Sequence, residues 1–451
     1  MNLAELLLLL RDMKRALVIT YYWPPTGGSG VQRWVKFAKY LPSSGWQCVV
    51  YTPENPEMQS EDASLLSDIP EGTEVIKRPI TEIYSLYRRL TGKPASRARV
   101  NVAEAGKKSL AGRIAMWIRG RFFVPDPRVS WVKPSVSFLK DYLAAHPVDV
   151  IISTGPPHSM HLIARRVHEA TDIPWIADFR DPWTRIFYFK HLHLSEKTQE
   201  KHRRLEKAVL DEADAVVAVS PLVQEEFRRM TSTPVELITN GFDPDDYKRA
   251  APEKASRSGF IICHTGQFAA DGNPEKFWEV LAEKASEDKD FAEKLMIRLA
   301  GKTDTQVIDS IKSAGLGGNL ADLGYVSHAE ATGEQLSADI LLLPLRKEPE
   351  YRATLPGKLF EYLGARRPIL GIGQTDGAMA RVVSDAGAGA TSDWEDAASM
   401  RAFIDKAWSA FLEGNCHLGA GGLFEGGSVG EYSRVATAEK MAALLERITK
   451  K

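Results

Sequence analysis

Six short runs between Ala16 and Thr239 are apolar from end to end instead of alternating with polar residues. They are "ALVIT" (Ala16–Thr20), "CVVYT" (Cys48–Thr52), "VDVIIST" (Val148–Thr154), "PWIAD" (Pro174–Asp178), "AVVAVS" (Ala215–Ser220) and "VELIT" (Val235–Thr239). A strand with one wet face alternates, whereas a continuous apolar strand must be covered on both faces. Helical patterns such as "VQRWVKFAKYL" and "SPLVQEEFRRM" lie between most of these runs. Strand–helix alternation of this kind specifies a doubly wound parallel α/β sheet. The pattern pauses at the small, polar "KRAAPEKASRSG" (Lys248–Gly259), then resumes with "FIICHTG", "KLMIRLAG", "LADLGYV", "DILLLPL", "RPILGIG" and "AGAGATS". The 451 residues exceed what one core usually holds. The expectation is therefore two Rossmann-like units. The first spans 13–247, with a basic insertion at 84–135, and a linker covers 248–258. The second spans 259–430, and a final helix over 431–451 packs on either unit, with a return to the first as one option.

Charge and cysteines narrow the function. A formal net charge of −1 gives no whole-chain case for nucleic acid. Cys48, Cys263 and Cys416 are far apart with no CxxC spacing, which fits a reducing compartment without disulfides or a zinc site. The apolar run in "MNLAELLLLLRD" is far short of the ~20 residues that span a bilayer. Residues 1–12 read as an extension or an over-called start before Met13. From Arg88 to Lys133 there are twelve Lys or Arg against only Glu104 and Asp126, interleaved with aromatic and apolar residues. That is either a solvated face or a surface that meets anionic lipid headgroups or an acidic acceptor.

Two motifs carry the chemistry. "ITYYWPPTGGSGVQRW" (Ile19–Trp34) follows the first strand and opens a helix. Gly27, Gly28 and Gly30 let backbone N–H groups approach an anion at the helix's positive end. The dinucleotide fingerprint would place a third glycine at Arg33, so a standard NAD site, and with it an oxidoreductase, is disfavoured. Arg33 is instead assigned as a cation near an acceptor or a departing diphosphate. The second motif is "TLPGKLFEYLGARRPILGIG" (Thr354–Gly373), where Gly357 opens a short helix. Lys358 and Glu361 lie near its start: an ammonium suits phosphate, and a carboxylate accepts from a cis-diol.

This second stretch resembles the donor-binding motif of GT-B glycosyltransferases, in particular the retaining family 4 (glycosyl transferases group 1), with its Pro-x-Lys-x-x-Glu-Tyr-Leu pattern. The resemblance runs in order along nearly the whole chain. "YYWPPTGGSGVQRW", "ADAVVAVSPLVQEEF", "NGFDPDDY" and "LGYVSHAEATGEQLSADILLLPL" are each similar to a family segment. It implies a GT-B fold, two Rossmann-like doubly wound domains facing each other across a cleft. It also implies that Glu361 bonds the ribose of a nucleotide sugar and that Lys358 sits near the diphosphate or sugar. Gly266, Gln267 and Tyr325 join Gly357 as donor-side candidates. The chain departs from the family pattern in three places. An earlier glutamate is replaced by Ala353. An Arg–Lys pair after the first strand of the second domain gives way to "HTGQF", with Arg352 as a substitute cation beside Lys358. A histidine near the transferring sugar gives way to Arg180.

"ISTGPPHSMH" and "ADFRDPW" follow first-domain strands, where parallel sheets place ligands. His158, Asp178, Arg180 and Asp181 are therefore the catalytic candidates. Asp178 or Asp181 would take the acceptor proton, with capping or ion pairing as the alternative role for either. "DPD" at Asp243–Asp245 reads as capping, not metal binding. The function expected is transfer of a sugar from a nucleotide diphosphate sugar to an acceptor in envelope polysaccharide or lipopolysaccharide synthesis. The acceptor would be lipid-linked or a saccharide, and the mechanism retaining. No cofactor, metal or nucleic acid is expected. The location would be cytoplasmic, peripheral at the inner membrane face if Arg88–Lys133 binds anionic lipid. The alternative is a nucleotide-sugar-binding protein of the same fold without catalysis.

Overall fold

The computed structural model describes residues 13–57, 61–81, 123–186, 189–192, 194–249 and 259–450. Residues 1–12, the basic stretch Arg88–Lys133 up to residue 122, and most of the linker 248–258 lie outside the described residues. Two compact units form. One comprises the chain up to Thr239 together with Ala438–Lys451; the other is Asn240–Thr437.

The first unit holds seven parallel strands in the order β3-β2-β1-β4-β5-β6-β7. They are β1 (Lys14–Ile19), β2 (Trp46–Pro53), β3 (Glu74–Arg78), β4 (Val150–Gly155), β5 (Trp175–Phe179), β6 (Ala215–Ala218) and β7 (Val235–Leu237). Six coincide with the apolar runs. β3, "EVIKR", escaped because an edge strand needs no second apolar cover, and it is only half-buried or exposed along its length. The second unit holds β8 (Phe260–Thr265), β9 (Leu295–Ala300), β10 (Leu320–Gly324), β11 (Ile340–Pro344), β12 (Ile369–Ile372) and β13 (Gly389–Ser392), all parallel. Their order is β10-β9-β8-β11-β12-β13.

The terminal helix Arg434–Thr449 returns to the first unit. It inserts Met441, Leu445 and Ile448 into the core that contains Trp34 and Trp46. Glu446 receives Lys14 Nζ at 2.7 Å and Trp46 Nε1 at 3.1 Å. The exit from the first unit falls at Thr239, earlier than the expected Tyr247, because the intervening residues pack on the second unit. Phe242 N donates to Tyr432 O (3.1 Å), Arg434 N donates to Phe242 O (2.7 Å), and Tyr247 Oη donates to Glu361 O (2.6 Å). Asp243 accepts from Asp245 N at 3.0 Å, so it acts as a cap. Among the described residues, no helix is long and apolar enough to cross a membrane, and no group of three His, Cys, Asp or Glu is arranged to hold a metal ion.

The expected roles of Arg33 and Asp178 need correction. Helix Ser29–Tyr40 buries Arg33, Trp34 and Phe37 against the sheet, and Arg33 has no solvent exposure. Arg33 Nη2 meets Asp178 Oδ1 at 2.9 Å, with both side chains fully buried. Asp178 also accepts from Arg33 Nε (3.1 Å), Trp34 Nε1 (2.8 Å) and Thr154 Oγ1 (2.9 Å). Arg33 donates onward to the carbonyls of Ile238 and Thr239, each at 2.9 Å. Burial alone would raise the Asp178 pKa, but Arg33 and the three donor groups hold it below the ordinary value. Arg33 therefore does not face a ligand, and Asp178 is not a base. Together they join the first helix to β4, β5 and the segment after β7.

Removing one partner of a buried pair leaves an uncompensated charge and costs about 3–5 kcal/mol. Arg33→Met is expected to lose that much stability in urea unfolding. The stabilisation from Asp178 is complete above about pH 4 and is lost as the pH falls through its lower folded value. Asp178→Asn should therefore flatten the acid limb of the stability–pH curve.

Candidate active site

In the second unit, the loop after β8 meets the start of helix Gly357–Ala365. Pro356 precedes this helix and no side chain caps it, so its first N–H groups remain available. Lys358, in the first turn, is half-buried. Its Nζ donates to Gln267 O at 2.7 Å and lies 3.3 Å from His264 Nε2. Gly266 is required at this contact. Its φ is +88°, and a Cβ there would collide with Lys358 Cε. Burial lowers the Lys358 pKa to about 8, against the opposing pull of Glu361.

Glu361 follows one turn later on the same helix. Its Oε2 accepts from Gln335 Nε2 at 3.1 Å, and Gln335 also donates to Thr265 Oγ1 at 3.0 Å. Gln335 fixes the carboxylate rotamer, and no described side chain donates to Oε1. The sequence reading missed Gln335; its signal was a polar residue on the buried face of helix His328–Ser337. Tyr325, just after β10, is 93% exposed, a free aromatic face on the same unit. Gly357, Lys358, Glu361, Gly266 and Gln267 thus come together around one helix start, with Tyr325 on the loop beyond β10. Arg352 does not join Lys358: it pairs with Asp376 at 2.7 Å. Ala353 ends the short turn Pro349–Ala353.

In the first unit, Gly28 (φ +104°) precedes helix Ser29–Tyr40, again without a side-chain cap. The cation at this loop is Arg180, not Arg33. Arg180 Nη1 donates to Gly30 O at 2.7 Å, Nη2 donates to Pro156 O, and the guanidinium lies over the Tyr22 ring at 5.7 Å. A side chain at residue 30 would displace Nη1. The sequence reading placed Arg180 with the catalytic candidates; the structure sets it between the glycine loop and the turn after β4.

Asp181 is half-buried, and burial raises its pKa to about 6 although Arg180 pulls the other way. It is thus poised to exchange a proton near neutrality, which Asp178 cannot do. His158 is buried and stacked on Trp183, with ring centroids 4.5 Å apart and the planes 1° from parallel. Burial holds its pKa well below the usual value, so the ring is neutral, and its Nδ1 has no partner among the described residues. The loop carrying Asp181 is anchored from helix Glu196–Glu212. Glu206 accepts from Trp183 N (3.1 Å) and Thr184 N (3.2 Å), and His202 Nδ1 accepts from Trp183 Nε1 (3.0 Å). Neither anchor was read from the sequence. The available signal was their i, i+4 spacing on one helix face.

Two parallel α/β units of this kind are the architecture of the GT-B fold. The chain aligns over 98% of its length with all of a glycosyltransferase from Rickettsia africae at 11% identity and TM-score 0.61. It aligns over 97% of its length with 99% of sucrose-phosphate synthase from Thermosynechococcus elongatus, at 15% identity and TM-score 0.57. For the lipopolysaccharide outer core galactosyltransferase WaaB the values are 96%, 100%, 12% and 0.56. No curated protein sequence matches the chain. Residues 97–246 match the family model described as Glycosyltransferase Family 4. The chain thus shares its GT-B fold with these solved structures.

Proposed function

We propose that the protein transfers a sugar from a nucleotide diphosphate sugar, held by the second unit, to an acceptor held by the first. One observation carries the reading. An uncapped helix start, the Lys358 ammonium and the Glu361 carboxylate lie within a single turn, and Gln335 fixes the carboxylate. Glu361 would accept from the ribose hydroxyls through Oε1. The diphosphate would take the N–H groups at the helix start and Lys358, and the base would stack on Tyr325. Charge on the departing diphosphate would then be neutralised by groups of this chain, without a resident cofactor.

The acceptor is assigned to Gly27, Gly28 and Gly30 with Arg180, and Asp181 takes its proton. Retention of the anomeric configuration is part of the proposal and rests on the resemblance of "PGKLFEYL" to the retaining family pattern. A lipid-linked acceptor in envelope polysaccharide or lipopolysaccharide synthesis rests on the basic composition of Arg88–Lys133.

Calorimetric titration of UDP, GDP and their sugar conjugates tests the donor site. Glu361→Ala is expected to weaken binding by roughly 2–4 kcal/mol, the worth of two charge-assisted hydrogen bonds. Binding indifferent to this change would refute the site. Asp181 must be ionised to act, so kcat/KM should rise with pH through about 6. Asp181→Asn should lose that limb together with roughly 10²–10⁴-fold of the rate. For the acceptor, the protein should sediment with anionic but not zwitterionic liposomes. Equal rates on soluble and lipid-linked acceptors would count against the lipid assignment.

A further inference from the structure

Strand β8 ends beside a histidine, the loop after it has no strong cation of its own, and the hydrogen bonds of that histidine fix its chemical state. His264 is buried at the carboxyl end of β8, with its ring 4.3 Å from that of Phe268. Nδ1 lies 3.0 Å from Leu342 O. A carbonyl oxygen only accepts, so Nδ1 carries the proton. Nε2 lies 3.3 Å from Lys358 Nζ, and an ammonium only donates. A neutral ring with Nδ1–H must present a lone pair at Nε2, and that lone pair faces the ammonium.

We infer that His264 is a positioning residue: a neutral acceptor that, with Gln267 O, holds two of the three Lys358 N–H bonds and leaves the third for a ligand anion. The inference rests on the donor-site reading for the identity of that anion as a diphosphate, but the pairing itself does not. Burial first and the Lys358 charge second lower the His264 pKa to about 3, against the opposing pull of the Leu342 and Gln267 carbonyls, so the ring is neutral at neutral pH. The charged and titratable groups around Lys358 are few. His264 faces it from β8, and Glu361 lies one turn along its own helix. Tyr362, the next residue, accepts from Thr265 N at 2.9 Å. Lys302 lies in the turn after β9, whose carbonyl accepts from Phe268 N at 3.0 Å. None of these supplies the neutral lone pair that His264 offers.

The sign of the effect separates this role from simple repulsion. A neutral acceptor stabilises the ammonium, so its removal should lower the Lys358 pKa; a protonated His264 would repel it, and removal would raise the pKa. The first test uses the native protein. Nitrogen-15 NMR of the imidazole should report Nδ1–H and an unprotonated Nε2 at neutral pH; the opposite tautomer, or a protonated ring, overturns the proposal. The second follows Lys358 by competitive acylation of the free protein from about pH 6 to about pH 10, read by mass on its peptide. Half-reaction is expected near pH 8 in the wild type. In His264→Phe, which keeps a ring against Phe268, or in His264→Leu, it should move roughly one unit lower, a roughly tenfold larger ratio of unprotonated to protonated lysine at a given pH. His264→Gln, whose amide oxygen can accept, should move it back. An unchanged or raised value in the Phe and Leu variants overturns the proposal. UDP and GDP affinity in the wild type should fall as the pH rises through about 8. Absence of nucleotide binding would refute the donor reading, while the tautomer and the acylation profile still decide the role of His264.

Discussion

The first unit is organised by a guanidinium and a carboxylate that never meet water. Arg33 comes from the first helix and Asp178 from β5; Thr154 of β4 and the carbonyls after β7 complete the network. An isolated buried charge would be prohibitively costly, so each group requires the other, and the pair fixes how the first helix seats on the sheet. Fixing that helix also fixes the Gly27–Gly30 loop at its start. Arg180, two residues beyond Asp178, is thereby delivered to Gly30 O. One internal ion pair thus sets the geometry of the external cation.

The same logic recurs in the second unit with less charge. Glu361 is steadied by an amide, Gln335, and Lys358 by a carbonyl and a neutral imidazole. Neutral partners orient a charged group without cancelling it, so the ammonium and carboxylate keep their charge for a ligand. At Asp178 three donors and a full counter-charge saturate the carboxylate, and nothing remains for chemistry. Asp181, three residues along the same chain segment, has only partial compensation from Arg180, and this difference in environment separates the two aspartates.

Twelve of the thirteen strands were legible as apolar runs; the inner ones are covered on both faces, while the edge strands β10 and β13 keep a small or apolar composition although they are only partly buried. The edge strand Glu74–Arg78 was not, since three of its five residues are charged and it needs no apolar cover on its exposed side. The Lys358–Glu361 pair was legible because the two residues are local to one helix, and helical geometry alone sets their separation. Arg33 was misread for the opposite reason. From the sequence it sits three residues after a glycine loop, and only the position of Asp178, far along the chain, shows that it points inward. Gln335, Glu206 and His202 were missed because polar residues on helices are ordinarily solvated, and burial is decided by what packs over them.

The sequence by itself determined the parallel two-unit architecture, the glycine loop, and the Lys–Glu pair at the start of helix Gly357–Ala365. These rest on periodicity and spacing, which are local properties of the chain. The tertiary structure alone decided which cation serves the loop, which aspartate is free to titrate, and which neutral groups hold the donor-side charges. Those choices depend on contacts between residues 26 to 150 apart in the chain, and on whether a charge is buried beside its opposite or left within reach of water.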